Sequence, residues 1–186
     1  FRGHKARAIT GQKERAATGD VWAQNRGAYL ELPGTGQWKG LAAWLAPRTD
    51  IFFAHLTSRY MLFGEWCYAR HSVEYDQLPS WFLGFDVYDK VSGRFFSSPR
   101  RDAWFQALRL DQVPRLGHGR FTIAGLGEFL SQSRLGDKPM EGLYLRSDQG
   151  DWLVQRAKLV RHDFIQSVEQ HWSRSGIKPN RLLRKA

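Results

Sequence analysis

Two apolar, aromatic-rich runs constrain this chain more than any other feature. Residues 60–68 (YMLFGEWCY) and 81–88 (WFLGFDVY) are almost continuously apolar, lack the three-and-four spacing of an amphipathic helix, and are joined by a polar loop containing Pro79. Runs of this kind read as buried strands. Residues 142–146 and 152–160 flank Ser147-Asp148-Gln149-Gly150-Asp151 and predict a hairpin. Shorter strands are expected over 6–10 and 21–24, around a polar loop with Gly11 and Gly19, and over 94–97 after the Ser92-Gly93 turn. Helical character falls at 38–45, stopping at Pro47, and at 102–110 with Asp102 near its start. Further helices are expected over 122–131, where Thr122 is a candidate N-cap, and over 163–172. A second apolar run covers 51–56. Strands and helices do not alternate strictly. The expected class is therefore α+β, mainly antiparallel sheets with flanking helices, in a single domain over 1–186 with a basic tail from about 173.

Composition matters for what it excludes. A chain of 186 residues with 8 Trp, 6 Tyr and 12 Phe has the material for one core and is not a disordered polymer. No run of 18 apolar residues offers a membrane span. Cys67 is the sole cysteine, so it closes no disulfide within the chain, and no C-x-x-C pair offers a zinc knuckle. A reduced, cytoplasmic setting is the natural expectation. The chain starts at Phe1 without an initiator Met or signal-peptide pattern and reads as a piece of a longer protein. Lys plus Arg number 28 against 18 Asp plus Glu, a net +10. Residues 1–26 supply +4 of this and residues 156–186 supply +6, leaving the middle neutral. Such basic ends suit a polyanion, whose counterions are released on binding, or serve only as a solvated surface.

Several common chemical motifs are missing. Gly34-Thr35-Gly36-Gln37-Trp38-Lys39-Gly40 lacks the Gly-Lys-Ser/Thr order of a phosphate loop, the six His residues show no metal-ligand spacing, and there is no Gly-x-Ser-x-Gly. What stands out are charges set into strand-like runs. Glu65 lies within Leu62-Phe63-Gly64-Glu65-Trp66, and a carboxylate there is costly unless it is paired, faces a pocket, or closes the strand in water. Phe85-Asp86 poses the same question, with a core Phe beside a surface Asp as the plain alternative. Glu141 opens the hairpin's first strand, and Arg156-Ala157-Lys158 lies near the end of the second. Together they could hold a metal and a phosphate, or form a cross-strand salt bridge.

In that order these clusters resemble nucleotidyltransferase motifs III, IIIa, IV and V. They are carried by Phe63-Gly64-Glu65-Trp66, Phe82-Leu83-Gly84-Phe85-Asp86, Glu141-Gly142-Leu143-Tyr144-Leu145-Arg146 and Arg156-Ala157-Lys158. The likeness is to ATP-dependent RNA ligases, within the group that includes DNA ligases and mRNA capping enzymes. Gln24-Asn25-Arg26-Gly27 resembles the Arg-bearing segment after motif I, and Asn180-Arg181-Leu182 the end of bacterial members. The resemblance implies a nucleotidyltransferase (adenylation) domain. A lysine attacks the ATP α-phosphate, AMP passes to an RNA 5′-phosphate, and a 3′-hydroxyl displaces AMP to seal the strand. Glu65 would bond the ribose and Phe85 stack on adenine. Glu141 would place Mg²⁺ (or Mn²⁺), Arg156 and Lys158 would contact the α-phosphate, and Arg26 would assist near the ribose or phosphates. Cations and a divalent metal preorganised around phosphoryl oxygens suit such transfers.

Two departures stand beside the resemblance. The K-x-D-G that carries the family's nucleophile is absent: Lys5 is followed by Ala-Arg-Ala and Lys13 by Glu-Arg-Ala. Truncation before or through motif I is the expectation. Arg156 also replaces the first lysine of the usual K-x-K, exchanging a compact ammonium for a planar fork. The implied partner is RNA with 5′-phosphate and 3′-hydroxyl ends, DNA ends being the variant reading, and no membrane. A non-catalytic RNA- or nucleotide-binding module using the same pocket and basic ends is the alternative function.

Overall fold

A computed structural model describes residues 7–11, 21–25, 27–71, 73–161 and 177–184. The helix expected over 163–172, together with Arg26, Lys5 and Lys13, lies outside the described residues. Five strands form the main sheet: β1 (Arg7–Gly11), β2 (Val21–Gln24), β3 (Tyr60–Trp66), β4 (Phe82–Asp89) and β5 (Arg94–Phe95). Their order is β2-β1-β3-β4-β5, and every pairing is antiparallel. Three helices supply the layer on one face: α1 (Leu41–Leu45), α2 (Thr49–Leu56) and α3 (Ser98–Ala107). A short helix, α4 (Ile123–Phe129), is capped as the sequence suggests, with the Thr122 hydroxyl accepting from the Gly125 N–H at 3.1 Å.

The core follows from side-chain period. In β3, Leu62, Gly64 and Trp66 are buried while Met61, Phe63 and Glu65 are only partly so, which gives the strand two distinct faces. Phe52 and Leu56, one turn apart on α2, meet Leu62 and Val87 in a cluster that also takes in Trp44 and Phe105. The buried indoles keep their donors satisfied: Trp44 Nε1 bonds the Ser80 hydroxyl at 3.0 Å and Trp66 Nε1 the Gln37 carbonyl at 2.8 Å. Helix α3 starts at Ser98, earlier than the expected 102, because Pro99 sits in its first turn, where a fixed φ and a missing N–H cost nothing. Asp102 is consequently within the helix.

β6 (Gly142–Gln149) and β7 (Trp152–Val160) pair as a separate two-stranded sheet. The strands run further toward the tip than expected, leaving a Gly150-Asp151 turn in which Gly150 takes a φ of 55°. The hairpin attaches to the main sheet at its edge. Phe96 bridges to Trp152, and the Ser97 N–H donates to the Asp151 carbonyl at 2.9 Å. The Ser98 N–H reaches the Asp148 carboxylate at 2.7 Å.

Residues 177–184, part of the basic C-terminal stretch, lie against the segment that follows β3. Asn180, only 4% exposed, accepts from the Tyr75 N–H at 2.9 Å and donates to the carbonyls of Cys67 at 2.8 Å and Ala69 at 3.4 Å. Arg181 pairs with Glu74 at 3.2 Å. Asn180→Ala leaves a buried N–H and two carbonyls without this partner, so a loss of about 2–4 kcal/mol is expected. A urea unfolding curve within error of the unaltered protein would contradict this.

Candidate functional site

The face of β3 and β4 turned away from the helices looks toward the hairpin. What decides its contents is a β-bulge. Phe63 pairs with Asp86 and Gly64 with Gly84, so Phe85 is the extra residue. Two successive side chains, Phe85 and Asp86, therefore project to the same side. Gly64 permits this tight passage: a Cβ there would stand 2.2 Å from the Phe82 ring and 2.7 Å from the Leu83 carbonyl oxygen. Across from them, register puts Tyr144 beside Lys158 and Arg146 beside Arg156, so these four share one face of the hairpin.

Asp86 joins the two sheets. Its carboxylate is fully buried, where a lone charge is expensive, and it is heavily partnered. The Tyr144 hydroxyl donates to Oδ2 at 2.7 Å, Arg146 Nη1 bonds Oδ1, and Arg156 Nη1 stands 4.0 Å from Oδ2. Arg146 is itself buried and spends its other donors on the Phe96 carbonyl and the Ser98 hydroxyl. Burial pulls its pKa below the usual arginine value and the Asp148 carboxylate opposes that shift. Burial also raises the Tyr144 phenol above its ordinary range, with the Arg156 guanidinium working against it. The phenol remains a donor at neutral pH.

Arg156 differs from Arg146 in being half-exposed. Its guanidinium lies over the Phe95 ring, 4.5 Å from the centroid, and its ion-pair distance to Asp86 is long. Most of its hydrogen-bonding capacity is thus open to a ligand. Lys158 is exposed on the same face. Phe85 is half-buried, with the Tyr144 ring edge-on at 6.0 Å and 71°.

Glu65 pairs with Leu83 in register, and Leu83 and Phe85 alternate along β4, so Glu65 and Phe85 occupy the same face of the sheet although they belong to different strands. Glu141 precedes the hairpin; its carbonyl accepts from the Arg161 N–H at 2.9 Å, just beyond the Gly142–Val160 pair. At roughly 3.3 Å per residue it lies about 10 Å along the hairpin from the Tyr144–Lys158 pair and about 17 Å from the Arg146–Arg156 pair. The expected gathering of Glu141, Arg156 and Lys158 at one phosphate-sized point is drawn out into a row. Tyr75 marks the acidic end of that row: burial, with the charges of Glu141 and Glu65 adding to it, holds its phenol well above the ordinary range.

The donor set bears on a metal. Among the described residues no three or more His, Cys, Asp or Glu side chains gather in a metal-holding group. Mg²⁺ carried with a polyphosphate would keep waters and phosphate oxygens and need only one or two protein carboxylates. Glu141, which with Glu65 bears on the Tyr75 phenol, is a carboxylate that could supply one.

Sequence reading singled out Phe85 and left open whether Asp86 is a held carboxylate or a surface residue beside a core Phe. The structure decides it: Asp86 is the buried member and Phe85 the partly exposed one. Tyr144, Arg146 and Tyr75 were not singled out. Pairing the two hairpin strands would have placed residues 144 and 146 on the face of 156 and 158. Tyr75 lies in an irregular loop that carries no such signal.

A five-stranded antiparallel sheet packed on helices thus carries a charged cleft against a separate hairpin. The RNA ligase family matches residues 3–160, most of the sequence, and the chain belongs to that family. Its structure is similar to that of a Naegleria gruberi RNA ligase solved with PPi, at a TM-score of 0.63 and 15% identity, over 90% of this chain and 49% of that one. The chain therefore spans about half the length of that ligase. No curated protein matches its sequence.

Removing the Asp86 carboxylate strands the buried Arg146 charge. Asp86→Ala should cost about 3–5 kcal/mol, and pairing Asp86→Leu with Arg146→Met should recover most of the loss. Additive losses in a double-mutant cycle by urea unfolding would show that the two residues do not act as a unit.

Proposed function

We propose that this chain is the nucleotidyltransferase domain of an ATP-dependent RNA ligase, sealing RNA ends through lysyl-AMP and RNA-adenylate intermediates, with the nucleophilic lysine outside the chain. The observation that carries the reading is the cleft itself. An aromatic ring and a buried carboxylate, set side by side by the bulge, face two accessible cations on the hairpin. Family membership and the fold support it. In this reading the exposed part of the Phe85 ring stacks on adenine and Glu65 bonds the ribose. Arg156 and Lys158 grip the α-phosphate, and Glu141 holds Mg²⁺ or Mn²⁺, which when bound would neutralise charge on the phosphates. Arg26 would act near the ribose or phosphates. Arg156 in place of lysine is intelligible here: its planar group lies flat on Phe95 while its edge remains able to bond phosphate oxygens. The partners are RNA 5′-phosphate and 3′-hydroxyl ends, in a reduced cytoplasmic setting that suits a chain with one cysteine.

The absence of K-x-D-G favours a second reading, a non-catalytic RNA- or nucleotide-binding module using the same cleft. The two separate on covalent chemistry. Incubated with labelled ATP and Mg²⁺, the chain as given should form no adduct that survives denaturation, because it lacks the K-x-D-G lysine that would attack the α-phosphorus. A longer chain carrying K-x-D-G upstream should form one, and an adduct-free longer chain would favour the binding module.

Equilibrium binding tests the cleft in either case. Lys158→Ala should weaken ATP binding by about 10- to 100-fold, as expected for one charge-assisted contact, and Phe85→Ala by a comparable factor. Arg184→Ala should leave nucleotide affinity unchanged. Equal losses for Lys158→Ala and Arg184→Ala would remove the phosphate role of Lys158.

A further inference from the structure

Outside the cleft, cations and rings are stacked where β5, the start of α3 and the start of β7 meet. The Arg94 guanidinium lies 4.8 Å from the Trp152 ring centroid, and that of Arg100 lies 4.7 Å from the same ring and 3.8 Å from Phe96. Phe96 and Trp152 are themselves in edge contact at 6.1 Å and bridged through their backbones. Two like charges are thus brought to one indole. Three carboxylates nearby are committed elsewhere, Asp89 to Arg59, Asp148 to Arg146 and the Ser98 N–H, and Asp102 to Arg101 and Arg115, and that of Asp151, next to Trp152, pairs with neither Arg94 nor Arg100. Among the described residues neither Arg94 nor Arg100 has a carboxylate partner or a side-chain hydrogen bond. A guanidinium lying on a ring keeps its N–H edge for a second ligand, and that edge matches the oxygens of a phosphate.

The position of the stack says which phosphates. Phe95, the residue between Arg94 and Phe96, carries Arg156 on its own ring, and the Phe96 carbonyl accepts from Arg146. The cleft and the stack are therefore the two sides of one short strand. We propose that Arg94 and Arg100, mounted on Trp152 and Phe96, bind backbone phosphates of a single-stranded RNA whose 5′-phosphate end lies in the cleft. This rests on the RNA-sealing reading above, and names a surface for the strand leading away from the reacting end.

The test is a fluorescence-anisotropy titration of the full chain with a short 5′-phosphorylated single-stranded RNA over a KCl series, alongside ATP binding. Each lost phosphate contact removes about 0.7 from the slope of log affinity against log salt. Arg94→Gln with Arg100→Gln should therefore flatten the slope by about 1.4 and weaken RNA binding at low salt, with ATP affinity unchanged. Arg94→Lys with Arg100→Lys, which keeps both charges, should hold the slope near that of the unaltered chain. If the paired Gln variant fails to fold, Arg94→Gln alone, at the more exposed position, should flatten the slope by about 0.7. An unchanged slope, or a parallel fall in ATP affinity, overturns the assignment. An unaltered chain that binds RNA but no ATP would instead overturn the nucleotide reading of the cleft and leave the stack standing.

Discussion

The Asp86 carboxyl group is fully buried, and the arrangement of the two sheets follows from the need to satisfy it. A carboxylate in that position is tolerated only when cations and donors are brought to it. Here they come from the hairpin, as the Tyr144 hydroxyl and the Arg146 guanidinium, so the electrostatic demand of one β4 residue fixes how β6 and β7 sit over the main sheet. The bulge makes the arrangement possible. Without the extra residue, strict alternation would send either Phe85 or Asp86 into the helix-packed core, and the ring and the carboxylate would not share a face.

The same network leaves the cleft positive. One buried carboxylate faces two guanidiniums, of which Arg146 is buried and bonded through all three of its nitrogens while Arg156 is half-exposed, and Lys158 adds a further cation. Positive charge held on a rigid sheet face with part of its bonding capacity unspent is what a phosphoryl site requires, because it needs no reorganisation as charge builds on the oxygens. Aromatic rings act as the mounts: Phe95 beneath Arg156, Phe96 and Trp152 beneath Arg100, Trp152 beneath Arg94. Cations are placed there by stacking, which holds the group without neutralising it as a carboxylate would.

The acidic end of the cleft is organised differently. The segment after β3 has little regular structure, and residues 178–183 meet it through backbone hydrogen bonds, such as Arg70 N–H to the Lys178 carbonyl and Asn180 N–H to the Tyr68 carbonyl, together with the Asn180 side chain, while Arg181 covers Glu74. This fastens the residues that immediately follow Glu65 to a piece of chain more than a hundred positions away. Isolated backbone bridges and one buried side-chain amide here take the place of a continuous strand ladder.

The sequence by itself determined the strands, the helices α1, α3 and α4 other than their ends, and the family, but left the apolar run that forms α2 without an assignment. These are encoded locally, in runs such as YMLFGEWCY whose period is read residue by residue, and in short motifs that keep their order along the chain. It also brought Glu65, Phe85, Arg156 and Lys158 forward, because charge and aromatic character in strand-like runs are visible without a partner. Only the tertiary structure decided which of Phe85 and Asp86 is buried, since that depends on one unpaired residue in the β3–β4 register. It decided likewise that Glu141 stands at the far end of the row from Arg156, that Tyr144 and Arg146 close on Asp86, and that Asn180 is a buried tie. Each of these is a contact between residues distant in sequence, and its energy depends on burial and on the neighbouring charge, neither of which a residue carries in its own identity.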